Sequence, residues 1–408
     1  MTTNDRSIVR LVMVGHGLVH TYELSIPIFM TVWLSAFGVT EAALGTLVGA
    51  GYVLFGVGAL PGGVLADRFG ARRLIAACLA GMGLSFVALG LAPGLWAVGG
   101  ALVLWGAAAS VYHPAALALI STGVRQRGRG LAWHGIAGNV GIAGGPLMTA
   151  LLLLAVGWQT VALLLALPAF AAAGGAAYAS FDETAAVDET ETAETPAPPE
   201  GPEALWARSA ALFTASFVVV FAAAALSGLY YRGVLTFLPD LLTPLVTVDL
   251  PIDVDTGRYV YAGLLTVGIA GQYVGGRLTE WGRPERGLVG AFGALAVVAA
   301  GFLPVAETGT AGLLGASAVL GFALFVIQPL YQATVAEYSP AGARGLSYGY
   351  TYLAVFGVGA LGATLAGALL QYAGPPLLFG VLAGIAGLGA ALSAGLALRR
   401  PSAETVSP

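Results

Sequence analysis

Apolar runs of about 20 residues recur from one end of this 408-residue chain to the other, separated by short polar turns. A helix needs that length to cross the hydrocarbon core of a bilayer, where every backbone polar group must be satisfied within its own segment. The runs therefore restrict the fold to a bundle of membrane-spanning helices. Twelve spans are expected, at residues 7–37, 41–66, 72–92, 95–121, 129–155, 158–180, 207–242, 258–278, 287–305, 311–338, 344–371 and 375–398. With 58% of its residues hydrophobic and 9% charged, the chain has too little polar surface for a soluble protein of this length. The first apolar segment leads straight into the next hairpin, so no removable signal peptide is expected.

Lysine is absent, and arginine placement sets the orientation. Apart from Arg232 inside a span and Arg258 in an opposite-side loop, the arginines fall on one side: Arg6, Arg10, Arg68, Arg72, Arg73, Arg125, Arg127, Arg129, Arg208, Arg277, Arg283, Arg286, Arg344, Arg399 and Arg400. The positive-inside rule makes that side cytoplasmic and places both termini there, in the cell (cytoplasmic) membrane. The segment FDETAAVDETETAETPAPPEGPEA, beginning at Phe181, is acidic and Pro-rich, the composition of a disordered or loosely ordered linker. The expected organisation is a six-helix bundle over 1–181, an acidic cytoplasmic linker over 182–206, a second six-helix bundle over 207–400 and a tail over 401–408. Cys78 is the single cysteine, which excludes a disulfide framework and a thiolate metal site.

The two halves repeat. Pro27 matches Pro239, Asp67 matches Glu280, GAAASVYHP ending at Pro114 matches GFALFVIQP ending at Pro329, and RGLAWHG from Arg129 matches RGLSYGY from Arg344. Offsets of 212 to 215 residues mean that one six-helix unit was duplicated. Parallel repeats of this kind are the signature of alternating-access transporters.

GVLADRFGARR, Gly63 to Arg73, has the form GxLxDRxGxRR. Its glycines permit a tight turn, Asp67 can accept charge-assisted hydrogen bonds, and the arginines face the cytoplasm. On Gly63, Asp67, Arg68, Gly70, Arg72 and Arg73, placed between spans 2 and 3 and echoed by GRLTEWGR at Gly276 to Arg283, the chain resembles the major facilitator superfamily. The resemblance implies an all-α polytopic fold, twelve transmembrane helices in two pseudo-symmetric six-helix bundles. It also implies a gating role for the motif, with Asp67 latching the halves in an outward-facing state. VYHPAALALIS in span 4 and GNVGIAGGPL in span 5 further resemble the fosmidomycin-resistance type of exporter, through His113, Pro114, Asn139, Gly145 and Pro146. That group typically carries an Asp in span 1, four residues after a His. Here His16, Tyr22 and Pro27 keep their places, His20 stands where the acid would be, and Glu23 follows one turn later.

Span 1 thus carries a polar cluster, GHGLVHTYELSIP, and His16, His20 and Glu23 share one helical face within about 60°. All four histidines, His16, His20, His113 and His134, lie in spans 1, 4 and 5. Ionisable residues inside a membrane are functional candidates; for each imidazole the structural alternative is a hydrogen bond to a backbone carbonyl. Proton coupling is expected at Glu23, tuned by His20 and His16. With Pro27 on Pro239, His20 falls on Arg232, so polar groups of opposite halves stand at one depth. Arg232 needs either a permanent pair with Glu23 or an anionic substrate. Substrate-binding candidates are Arg232, His113, Tyr22, Tyr112, Asn139, Tyr230, Gln272, Gln328 and Gln332, although Tyr and Gln serve equally well as interhelical hydrogen-bonding residues.

The expected function is proton-coupled secondary active transport, exporting a small anionic organic solute or drug by alternating access; export follows from the resemblance alone. The competitor is a proton-coupled uptake symporter for a sugar or organic anion, since Trp33, Trp105 and Trp133 could stack on a sugar. A divalent-metal transporter using the His16/His20/Glu23 face is a lower alternative. With no Walker loop, GxSxG or HExxH, neither ATP-driven transport nor enzymatic activity is expected. The expected partners are the small-molecule substrate, protons and the lipid bilayer. The chain should be a monomer with no cofactor, no resident metal and no nucleic-acid partner.

Overall fold

The computed structural model describes residues 1–187, 202–246, 255–339 and 344–399. Its elements in the first half are α1 (Thr3–Phe37), α2 (Glu41–Val57), α3 (Ala59–Phe69), α4 (Ala71–Gly90), α5 (Leu95–Ala109), α6 (Tyr112–Gly123), α7 (Arg127–Leu152) and α8 (Trp158–Tyr178). The second half holds α9 (Pro202–Leu212), α10 (Ala215–Leu235), α11 (Leu238–Leu242), α12 (Thr256–Thr279), α13 (Pro284–Ala306), α14 (Thr310–Tyr338), α15 (Arg344–Tyr352), α16 (Leu361–Ala373) and α17 (Pro375–Arg399). No strand occurs among the described residues.

Ten helical stretches among the described residues are long and apolar enough to cross a membrane. The remaining two, α1 and α12, have 35 and 24 residues, long enough to span, but their apolar character is diluted by His16, His20 and Glu23 in one and by Arg258 and Gln272 in the other. Four spans are not single rods, span 7 among them, where α10 ends at Leu235 and α11 begins at Leu238. Span 2 is interrupted at Gly58 between α2 and α3, and span 4 at Ser110 and Val111 between α5 and α6. Span 11 passes from α15 through a π-helical stretch, Leu353–Val358, before α16. The interruptions of spans 2 and 4 face each other: a Cβ on Gly58 would run into the Ser110 side chain, so only glycine lets these spans approach so closely.

Packing repeats with the sequence. α4 lies along α8 as α13 lies along α17, and α2 along α5 as α12 lies along α14. The halves meet through α2 against α16 and α7 against α12. Away from the termini, Gly45 seats beneath the Ala363 carbonyl, Gly367 beneath that of Glu41, and the Ala42 N–H donates to Gln371 Oε1 at 3.3 Å. On the same side Arg258 donates to Thr31 Oγ1 at 2.9 Å while pairing with Asp255 at 2.9 Å. The molecule is closed at that end. Between the halves a cavity of about 1580 Å³ runs the other way, reaching exposed Ser121 and Arg127 at the end where α1 begins and α17 ends.

The first residues of the acidic segment dock onto the first half. Glu183 accepts hydrogen bonds from the N–H groups of Ala71 (2.9 Å) and Arg72 (3.3 Å), an anion at the start of α4. Thr122 Oγ1 donates to the Glu183 carbonyl at 2.6 Å, and Asn4 brackets Asp182 from both sides. Most of the acidic stretch, residues 188–201, and the tail from residue 400 lie outside the described residues.

Candidate functional site

Glu23 projects from the middle of α1 toward α10 and is 1% exposed. Its Oε1 pairs with an Nη of Arg232, which is 2% exposed, and its Oε2 meets Nδ1 of His20 at 2.6 Å. One carboxylate therefore joins a guanidinium of the second half to an imidazole of the first. Tyr52 completes the seat: its hydroxyl donates to the Glu23 carbonyl at 3.1 Å, and its ring lies 3.8 Å beneath the Arg232 guanidinium carbon. A buried charge is tolerable only when paired and hydrogen-bonded, and this one is both.

From Glu23 the network continues toward the cavity. His20 Nε2 stands 3.0 Å from His16 Nε2, and His16 Nδ1 lies 2.7 Å from the His134 carbonyl oxygen. The His134 ring is stacked on that of His16 at 3.7 Å, while His113 meets His16 edge-on at 5.2 Å. Gly138 makes room for this cluster, since a Cβ there would strike the His16 ring. All four histidines and Glu23 line the cavity.

Of the other residues expected from sequence, Asn139, Gln272, Gln328 and Gln332 line the cavity walls. Gln272 Oε1 is buried without a partner among the described residues. Tyr22, Tyr112 and Tyr230 do not line it. Tyr22 donates to the Leu165 carbonyl at 2.8 Å and packs on Phe86, and Tyr230 donates to the Leu295 carbonyl at 3.2 Å. Tyr112 donates to the Val12 carbonyl, its ring backing His16 and His134. These three are interhelical ties, the structural role their residue type allows. Arg232 meets Glu23 rather than the His20 that the repeat alignment put opposite it, and it lies behind the cavity wall.

The glycine-arginine motif is largely helical rather than a loop. Gly63 to Phe69 complete α3, and the reversal is confined to Gly70, whose φ of +83° favours glycine. Gly63 lines the cavity, Arg68 lies over the Phe69 ring at 5.4 Å, Arg72 bonds the Ala179 carbonyl, and Arg73 is exposed. The Asp67 side chain is outside what the structure describes.

Sequence reasoning missed Tyr52, Tyr331, Tyr352 and Phe356. Tyr231, Tyr331, Tyr352 and Phe356 face the cavity, and Phe356 lies in the π-helical stretch, its ring 6.0 Å from His113 and from the Arg232 guanidinium carbon. An aromatic residue inside an apolar run carries no sequence signal that separates cavity from core; for Phe356 no signal existed.

Comparison with known proteins accords with this architecture. The sequence profile described as Major Facilitator Superfamily matches residues 12–363. Among the solved structures that resemble the chain are two of a bacterial homologue of the human lysosomal transporter Spinster. The inward-facing, unoccupied form has a TM-score of 0.72 at 16% identity, covering 98% of this chain and 92% of that one. The inward-facing, occupied form has a TM-score of 0.69 at 15% identity, covering 98% and 95%. No curated protein matches the sequence.

Proposed function

Because the chain belongs to the Major Facilitator Superfamily, whose members are transporters, we propose that it exchanges protons for a small anionic organic solute and exports it across the cell membrane. The observation that carries this reading is the Glu23–Arg232 ion pair, which ties the two halves together at the inner end of the cavity. Alternating access requires the halves to rock apart at the closed end, and that motion pulls on this bond. Protonating Glu23 removes the attraction and frees the guanidinium for an anion entering along Gln272, Gln328, Gln332 and Asn139. His20 and His16 form the path by which a proton reaches Glu23 from the cavity.

Arginine placement makes the open end cytoplasmic, so the cavity faces the cell interior, with both termini on that side of a monomer. The likeness of His113-Pro114 and of Asn139, Gly145 and Pro146 to the fosmidomycin-resistance exporters favours efflux over uptake. Proteoliposomes under an imposed pH gradient test the reading. Wild type is expected to move organic anions against the gradient and Glu23→Gln is not; equal proton-driven transport by both would end the coupling role of Glu23. Transport in the same direction as the protons would replace export by symport.

A further inference from the structure

We propose that His16, His20 and His113 form a binding site for a divalent first-row transition metal at the inner end of the cavity, with the remaining coordination position open to water or solute. Hydrogen-bond polarity fixes which ring nitrogens are free. Nδ1 of His16 faces a backbone carbonyl at 2.7 Å, and Nδ1 of His20 faces the Arg232-paired carboxylate of Glu23 at 2.6 Å. A carbonyl and a carboxylate only accept, so both Nδ1 atoms carry hydrogen and donate. With both rings neutral, each Nε2 presents a lone pair, and the two stand 3.0 Å apart. Lone pairs at that separation repel unless a cation lies between them.

His113 decides between a proton and a metal. A shared proton uses two nitrogens, whereas ring nitrogens of His16, His20 and His113 all lie within 4.8 Å of one another. Three convergent imidazoles with an open position are a donor set for Zn²⁺, Co²⁺, Ni²⁺ or Cu²⁺, not for the oxygen-seeking Mg²⁺ or Ca²⁺. Tetrahedral bonds of 2.0–2.1 Å put ligand nitrogens about 3.3 Å apart, so His16 and His20 are already near their places. His113 closes by turning its ring, which rests against Tyr352 and Phe356.

The outer partners fit as well. Metal-bound histidines characteristically donate their second N–H to a carboxylate or a backbone carbonyl, which Glu23 and the His134 carbonyl supply here. Glu23, a ligand candidate by spacing alone, is thereby an orienting residue, since His20 and Arg232 occupy its two oxygens. His134 backs the His16 ring, and the cavity is the entry path.

The test is titration of tag-free, chelator-treated protein in detergent with Co²⁺, followed by visible absorption, and with Zn²⁺, followed by calorimetry. One metal per chain with tetrahedral cobalt bands is expected. His20→Ala and His113→Ala should each abolish it, and Glu23→Gln should weaken it roughly 10–100-fold. X-ray absorption of zinc-loaded wild type needs no variant and should count three imidazoles. If a variant fails to fold by gel filtration, this count decides alone; one imidazole or none overturns the site. Absence of saturable binding by folded wild type, or binding that survives in folded His113→Ala, also overturns it. So does a ¹⁵N spectrum of metal-treated protein in which a proton still bridges the two Nε2 atoms. The site shares His16 and His20 with the proposed proton path, but the two readouts separate them: proton-driven transport by protein that binds no metal removes the metal site alone, and failed transport by protein that binds metal removes only the coupling.

Discussion

α1 and the α10–α11 pair are copies of one ancestral span, and they have parted in chemistry. Both carry the matching proline, Pro27 in α1 and Pro239 at the start of α11. Around Pro27 the helix runs unbroken for 35 residues, and its middle carries His16, His20 and Glu23. Ahead of Pro239 the helix stops at Leu235 and resumes at Leu238, and the charged group that meets the first-half cluster is Arg232. The same contrast holds across the halves: every histidine belongs to the first, while the second lines the cavity with Gln272, Gln328, Gln332 and tyrosines. Duplication kept the depth of the polar site and divided its work. The first half holds the histidine–carboxylate network, and the second supplies one arginine and a neutral wall.

If Arg232 is the fixed cation on which Glu23 depends, Arg232→Leu is the most disruptive change. It strands a buried carboxylate, which should cost about 3–5 kcal/mol. The double variant Glu23→Gln/Arg232→Leu should recover much of that loss, giving a large coupling energy in a double-mutant cycle read by thermal melting. Additive losses would show that the halves are joined elsewhere. A smaller effect is expected where the halves touch without charge. Gly367→Val places a side chain against the Glu41 carbonyl at the closed end, an overpacking cost of roughly 1–3 kcal/mol that falls on this conformation. Cysteine labelling near Gly45 should become faster, with the Glu23–Arg232 coupling reduced. Weaker still, Gln328→Ala on the neutral wall removes at most one hydrogen bond to solute, about 0.5–1.5 kcal/mol. It should raise the KM for solute several-fold in counterflow assays without altering the proton dependence.

The span pattern and the α1 cluster were legible because the physics behind them is expensive: apolar length is needed to cross lipid, and His16, His20 and Glu23 have no cheap reason to sit in an apolar run. The repeat placed Arg232 at the right depth, yet it named His20 as the opposite group where the structure has Glu23. An offset alignment fixes height along a helix to about one turn and leaves its rotation free. Tyr52 and Phe356 were illegible because an aromatic ring beneath a guanidinium and one buried in lipid-like packing look alike in sequence. The breaks at Gly58 and Ser110 were hidden for a related reason. Glycine and serine are ordinary in membrane helices, and only the crossing of spans 2 and 4 turns them into an interruption.

The last contrast lies between the two ends of the acidic segment's own chemistry, its charge and its composition. Low hydrophobicity and acidity predict loose chain, but the docked start obeys a local rule that composition averages away: Glu183 sits where the first N–H groups of α4 lack partners. Its side chain is 30% exposed, so the contact is partly screened. Glu183→Gln keeps a hydrogen-bond acceptor and removes the charge, which should cost only about 0.3–1 kcal/mol. Global melting should scarcely move, because the helices of the first half hold one another independently of this cap. Hydrogen exchange at Ala71, Arg72 and Ala186 should rise, the last because the Ala186 N–H donates to the Thr122 carbonyl at 2.9 Å only while the segment is docked. Unchanged protection at Ala186 with faster exchange at Ala71 would mean that Thr122 and Asn4 hold the segment, and that the carboxylate only caps the helix.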